Sequence, residues 1–364
     1  MNKISNVDTI YILADIENFD NIEILNNLKE EKEIALLEAT NNANNKHLIT
    51  INEMDFQIFP NGAQGYTYIL RNNLYEVKIA QKRAKLEAFY PIQIRISSEN
   101  LWSNGLINAW SNIYNWLVEV FGNIIRHKVS RIDLCCHISD IDLITDYNIT
   151  YKGKFKKKEL FYSGNNPNAI TFGSRKNKNI YCRIYNKSLE IQETKSKSWF
   201  KEIWQQHNMN TNNVWNIEFE LKSDILREFN LLEVKDIYLH LKDLWNYCTS
   251  KYLVKVDRTN TRIERCQINK HWQEIQTAYD DFVSIGLIER KKQIDMEANV
   301  LIPTIIGYMT SYSARKGEID IKRAFNKIFK DGQKFLKNKN TYFEKEVQDK
   351  MLLINKRKVK SNGK

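Results

Sequence analysis

The chain has 364 residues, 42% of them hydrophobic, with a formal net charge of +11 and five cysteines. That is enough apolar material for a sizeable core and predicts two domains rather than one. No run approaches the roughly 18 apolar residues of a membrane span, the N-terminal MNKISNVDTIYILADIENFD turns acidic at once without a signal-peptide pattern, and the odd cysteine count lacks a CxxC spacing. These features exclude a disulfide framework or zinc site and lead us to expect reduced thiols in the cytoplasm.

Residues 1–55 hold 4 Lys against 11 Asp+Glu and read as an acidic N-terminal segment, with a helix over 22–40. FQIFPNG, GYTYILRN and LYEVKIAQ read as strands, with turns at PNGAQG and RNN. PIQIRIS (91–97) alternates as a further strand. Residues 97–125 then read as a long amphipathic helix with Trp102, Trp110, Trp116 and Leu117 in its apolar stripe and Ser98 as N-cap. The strand KVSRIDLCCHIS, a lysine-rich loop YKGKFKKKEL, and the strands NAITFGSR and NIYCRIYNK follow. A helix from about Ser188 to Gln206 precedes the strand VWNIEFELK, and from Ser223 the pattern is helical almost to the end. The expectation is an α+β chain, not a strict βαβ alternation. Its parts are the acidic segment 1–55, a strand-rich domain over 56–222 and a helical region over 223–364.

That last region is basic: residues 315–364 carry 16 Lys+Arg against 6 Asp+Glu. A basic end with interleaved aromatics (Tyr312, Phe325, Phe329, Phe335, Tyr342, Phe343) points to a polyanion, nucleic acid first. A solvated amphipathic helix with a core-facing aromatic stripe explains it equally well.

Strand alternation sorts the central residues by face. In VSRIDLCCHI, Arg131, Asp133, Cys135 and His137 share one face, and Ile132, Leu134, Cys136 and Ile138 the other. In NIYCRIYNK the polar face carries Tyr181, Arg183, Tyr185 and Lys187; in VWNIEFELK it carries Asn216, Glu218, Glu220 and Lys222. If the three strands share a sheet, their polar faces coincide, because their apolar faces must meet one core. Several carboxylates with oxygen donors suit Mg²⁺ or Mn²⁺. A tyrosine hydroxyl beside cations or a metal can attack a phosphodiester. A solvated sheet face with cross-strand Glu–Arg pairs explains the same pattern without chemistry.

The same three segments carry a resemblance. SRIDLCCHISD, TFGSRKNKNIYCRIYNKSLE and VWNIEFELK resemble, in order and rough spacing, three motifs of the replication initiation factor (Rep-trans) family. The match covers about residues 60–230, with DRTNTRIERCQINKHWQEI (257–275) weaker. The resemblance implies an antiparallel sheet related to the HUH endonucleases but lacking their paired metal histidines; none of the six histidines here forms an H-x-H. It implies an initiator of rolling-circle replication of a plasmid or phage, which nicks one strand of an origin. A tyrosine becomes linked to the 5′ phosphate and a 3′ hydroxyl is left as primer. The catalytic domain would be 56–222, with 223–364 supplying DNA contacts or dimerisation.

Carried onto this chain, Tyr185 is the nucleophile. Asp133 and Glu218 are metal ligands for Mg²⁺ or Mn²⁺, with Glu220 a third ligand or a supporting carboxylate. Arg183 and Arg175 clamp phosphate, Lys187 stabilises developing charge, and Glu190 serves as base, ligand or helix N-terminal charge. Tyr181 is a competing nucleophile or a base-stacking ring. Lys152, Lys154, Lys156 and Lys157 of the lysine-rich loop track the DNA backbone. Asn216 and Asn186 depart from the family pattern, standing where it has Arg and Asp; His137 is a ligand or base candidate on the same face. The implied partners are origin DNA, a host helicase and a second copy of the chain, with no membrane. Two alternatives stand: a conjugative relaxase of the same family, and a non-catalytic DNA-binding repressor on the same fold.

Overall fold

Every segment that alternates in the sequence forms a strand. The computed structural model describes residues 2–21, 23–41, 46–63, 65–83, 89–141, 143–144, 150–176, 179–286, 298–348 and 351. Along these run β1 (Lys3–Ile16), α1 (Ile24–Asn41), β2 (His47–Ile51), β3 (Met54–Ile58), β4 (Tyr68–Arg71), β5 (Tyr75–Ile79), β6 (Ile92–Ile96), α2 (Ser98–Phe121) and β7 (Ile124–Ser139). There follow β8 (Thr150–Gly153), β9 (Lys158–Ser163), β10 (Asn166–Phe172), β11 (Ile180–Asn186), α3 (Lys187–Thr194), α4 (Phe200–Gln206) and β12 (Val214–Lys222). The remainder is α5 (Ser223–Glu228), α6 (Val234–Leu239), α7 (Leu241–Tyr247), β13 (Leu253–Val256), α8 (Lys270–Gln276), α9 (Ala298–Lys316) and α10 (Ile321–Asn338).

Eleven strands form one antiparallel sheet in the order β2-β3-β4-β5-β6-β1-β7-β12-β11-β10-β9, and β13 pairs with β8 in a second. The fold is α+β, with a large antiparallel sheet and a helical C-terminal part. The chain divides into two compact units, Met1–Arg290 and Lys291–Lys364. In the second, α9 and α10 are joined through Gly317, whose φ of 63° favours a residue without Cβ. Parts of the basic end, residues 349–350 and 352–364, lie outside the described residues. No helix among the described residues is long and apolar enough to cross a membrane.

Two expected boundaries are corrected. Residues 1–55 are not a segment apart: β1 lies in mid-sheet, paired with β6 and β7. Its acids are internal counter-charges. Asp15 is buried between Arg83 and Arg126, and Asp8 faces Lys197. Nor does a boundary fall after residue 222. Ile225, Leu226, Ile237, Leu244, Trp245 and Trp272 join the same core as Phe219 and Leu221 from β12. Burying those apolar side chains against the sheet, at about 25 cal/mol per Å², welds α5–α8 to it.

Other differences are local. The lysine-rich loop contains β8 and begins β9. The helix expected over 188–206 is two helices, because Lys195 and Lys197 take left-handed φ values of 51° and 57°. The cap of α2 is Ser97, whose side chain accepts from the Asn100 N–H; Ser98 instead donates its hydroxyl to Asp8, 2.7 Å away. All five cysteines are free and buried.

Candidate active site

Register builds the site. In the β11–β12 pair, Tyr185 stands opposite Asn216, Arg183 opposite Glu218 and Tyr181 opposite Glu220. In β12–β7, Glu220 stands opposite Asp133, Glu218 opposite Cys135 and Asn216 opposite His137. The alternate residues of the same strands, among them Ile132, Leu134, Ile184, Ile217 and Phe219, lie in the main core. The polar faces therefore coincide, as alternation requires. They are not solvated: Asp133, His137, Asn216, Glu218 and Glu220 are all buried. A smaller cluster of Ile4, Ile191, Phe200, Trp204, Met209 and Val214 forms a second apolar layer.

Buried charge must be paired, and here the partners are specific. Arg183 Nη2 donates to Glu218 Oε1 at 2.7 Å. Arg131 grips Asp133 through two bonds of 2.8 and 2.6 Å and reaches Glu220 Oε2 at 2.9 Å. The Tyr185 hydroxyl has a full set of neighbours. It donates to Glu218 Oε2 (3.3 Å) and accepts from Asn216 Nδ2 (2.9 Å) and from the Lys187 ammonium (3.2 Å). Lys187 is itself buried, with its ammonium 2.5 Å from Glu190 Oε2 and 5.3 Å from the Phe200 ring centre. Asn186 caps α3 by accepting the Leu189 N–H, which places Lys187 at the first helical position.

Burial, followed by the Glu218 and Glu190 charges, pushes the Tyr185 hydroxyl well above its ordinary range, although Arg183 opposes them. The resting tyrosine is thus protonated; the neighbouring cations do not ionise it. Burial also raises Asp133 to about 7, with Glu218 and Glu220 adding to the effect against Arg131. Asp8 moves the other way. Burial favours its neutral form, but the Lys197 and Lys187 charges and the Ser98 hydroxyl outweigh it and bring Asp8 down to about 2. A carboxylate depressed in the folded state contributes stability above its unfolded value, and that stability disappears as the pH falls through the folded value. Asp8→Asn should therefore cost about 2 kcal/mol at neutral pH and flatten the loss of stability between about pH 4 and pH 2. Urea unfolding of both proteins across that range checks this; parallel curves would refute it.

The expected metal ligands are only partly brought together. Among the described residues no group of three or more His, Cys, Asp or Glu could hold a metal ion. Arg183 takes one oxygen of Glu218 and Tyr185 the other, and Arg131 takes both oxygens of Asp133. Glu220 is the least engaged of the three. Both Glu220 oxygens are buried without a well-directed hydrogen bond, although Arg131, Lys222 and Arg175 lie within ion-pair reach at 2.9, 3.2 and 3.6 Å. Glu220, with Asp133 beside it across the strands, fits Mg²⁺, which takes one or two carboxylates and completes its shell with waters and substrate phosphate.

A cleft of about 290 Å³ opens over β10 and β11, lined by Tyr181, Arg183, Tyr185, Arg175, Thr171 and Phe161 among others. Tyr185 reaches it with 8% of its surface exposed. Arg175 sits 5.1 Å over the Tyr181 ring, so the two form one wall. Glu190 also lines the cleft. The lysine-rich loop adjoins it, because the Lys157 carbonyl accepts the N–H of Gly173 next to the turn carrying Arg175. Lys154, Lys156 and Lys157 are exposed. Lys152 is different: it is half-buried, and its ammonium is 3.3 Å from the carbonyls of Glu264 and Cys266. These contacts hold β8 to the segment after β13. His137 is no open base either. The Trp204 indole N–H donates to its Nδ1 at 3.0 Å, Trp102 stacks on it, and burial pushes it down to about 3.

Asn216, a departure from the Rep-trans pattern, is the cross-strand neighbour of Tyr185 and donates to its hydroxyl. Its signal was the register itself, since the residue opposite a candidate nucleophile is the one best placed to orient it. No family model matches the sequence, and no curated protein matches it. Among solved structures the chain is similar to a rolling circle replication initiator protein from Geobacillus stearothermophilus, with 15% identity and a TM-score of 0.47 over 80% of this chain and 100% of that one.

Proposed function

We propose that the protein initiates rolling-circle replication as a DNA strand-nicking and strand-transfer enzyme with Tyr185 as nucleophile. The observation that carries this reading is the Tyr185 hydroxyl on a cleft with two arginines, fixed by a carboxylate, an amide and a buried ammonium. In it, Arg175 and Arg183 draw a phosphodiester into the cleft. Sharing Arg183 with the phosphate frees Glu218 to take the Tyr185 proton through the existing hydrogen bond. The phenolate oxygen, held by Asn216 and Lys187, attacks phosphorus in line. The bond to the 3′ oxygen breaks, that oxygen takes its electron pair and a solvent proton, and a 5′ phosphotyrosine is left. Glu190 holds Lys187 in place. Asp133 and Glu220 would hold Mg²⁺ or Mn²⁺, which when bound supplies charge neutralisation at the phosphate.

The test is covalent capture. Wild type is incubated with single-stranded oligonucleotides and supercoiled plasmid from beside its gene, with Mg²⁺ or Mn²⁺, then denatured in SDS. A shifted protein–DNA band is expected. DNA that is bound but always recovered intact would instead favour the repressor reading. The relaxase shares this chemistry and differs only in the DNA element nicked.

The exposed loop lysines carry a separate expectation. Removing Lys156 and Lys157 together should lower the log–log salt slope of single-strand binding by about 0.7 for each phosphate that is no longer neutralised. An unchanged slope in a salt titration would take these lysines out of the interface.

A further inference from the structure

The outermost strand beside the cleft, β9, carries a ring that the fold leaves bare. Phe161 is 46% exposed, and it belongs to neither apolar cluster of the described residues. A single exposed phenylalanine needs no explanation by itself. Its position does. Phe161 pairs with Ala169 on β10, and Ala169 pairs with Tyr185 on β11. Residues directly opposite in an antiparallel sheet share a face, so Phe161 and Tyr185 stand on one side, two strand spacings or about 10 Å apart. The residue between them on that face, Ala169, is small. Both aromatic residues line the same cleft as Arg175 and Arg183.

The surroundings fit a polyanion. Lys156, Lys157 and Lys158 are exposed where the chain enters β9. The acids in the cleft lining are engaged: Glu190 by the Lys187 ammonium and Glu193 by the Ser163 hydroxyl. A bulge adjoins the ring as well. Asn168 is an extra residue of β10, between the Pro167–Tyr162 and Ala169–Phe161 pairs. Bulges bend a strand and re-aim its side chains, often beside active sites. Cations for a phosphate next to an uncovered aromatic ring are the two elements with which proteins hold single-stranded DNA.

We propose that Phe161 is a stacking platform for the base of a nucleotide beside the scissile phosphate. This rests on the reading of the cleft as a phosphodiester site with Tyr185 as nucleophile. Phe161 is a positioning residue: by holding the base it fixes the backbone that Arg175 and Arg183 draw over Tyr185. Every base has a π face, so the platform adds affinity without selecting a sequence.

Fluorescence anisotropy tests this without requiring cleavage. The probes are a labelled thymidine decamer and a decamer made entirely of abasic sites, which keeps the phosphates and lacks the bases. The proteins are wild type, Phe161→Ala and Phe161→Trp. Wild type should bind the thymidine decamer more tightly than the abasic one. Phe161→Ala should weaken thymidine binding by about 5- to 150-fold, the loss of one stacked base, and leave abasic binding unchanged. Phe161→Trp, which keeps a π face, should bind thymidine as wild type does. The salt slope of Phe161→Ala should equal that of wild type, because no phosphate contact is lost. Equal binding of the two decamers by wild type, equal losses on both in Phe161→Ala, or a Phe161→Trp as weak as Phe161→Ala overturns the platform and leaves the nicking reading standing. Unchanged thymidine binding by Phe161→Ala does the same, and a changed oligomeric state in that variant would assign the ring to a protein contact instead. Wild type that binds neither decamer overturns both readings.

Discussion

Tyr185→Phe should remove the covalent protein–DNA adduct and lower nicking by at least about 10³-fold, as loss of a nucleophile does, whereas Tyr181→Phe should retain both. The two rings share a strand face, but their surroundings differ. Tyr185 is held at its oxygen by Glu218, Asn216 and Lys187, with an acceptor already in place for its proton. Among the described residues no such set surrounds Tyr181, whose ring packs under the Arg175 guanidinium at the cleft wall. The deletion is also structurally mild, since phenylalanine keeps the ring beneath Arg183 and Lys187. Its cost is one hydrogen bond each for Asn216, Lys187 and Glu218, so thermal unfolding should shift only modestly. Adduct formation is read on SDS gels and binding by anisotropy. An adduct that survives in Tyr185→Phe and disappears in Tyr181→Phe would transfer the role to Tyr181.

Glu218→Gln should lower nicking by about 10²- to 10⁴-fold while leaving DNA binding nearly intact, the range for loss of a positioned general base. Glutamine keeps the size and one acceptor oxygen, so Arg183 is not stranded beside an apolar side chain. The informative readout is the pH profile. With Glu218 gone, the tyrosine proton must leave to solvent, and the residual rate should climb with pH as hydroxide rises. Wild type should be far less steep. A variant whose rate falls by a constant factor at every pH would make Glu218 merely structural. Asp133→Asn and Glu220→Gln provide the contrast: they should raise the Mg²⁺ or Mn²⁺ concentration needed for half-maximal nicking without altering the pH profile.

The division of labour among the three carboxylates shows what alternation can and cannot say. Periodicity assigned Asp133, Glu218 and Glu220 to one face because successive side chains in a strand point to opposite sides. It could not say which arginine each would meet. Arg131 serves Asp133 and Glu220, Arg183 serves Glu218, and only Glu218 lies within hydrogen-bonding reach of the tyrosine. Those pairings come from register between strands far apart in the chain, such as Arg183 with Glu218 across 35 residues.

Local patterning by itself determined the α+β class, the strands β3–β7 and β10–β12, their apolar faces and the presence of Tyr185, Arg183 and Lys187 near one another. These are short-range properties, set by side-chain period and turn residues. Tertiary structure decided the rest. It placed β1 in mid-sheet, where counter-charges from Arg83, Arg126 and Lys197 make its aspartates tolerable. It covered the polar face, so that Tyr185 rests as a neutral hydroxyl, and turned Asn216 from a mismatch into a hydrogen-bond donor. It set the exposed Phe161 in line with Tyr185 across β10. Each of these depends on which distant segments become neighbours, and burial fixes that only after the whole sheet has closed on its core.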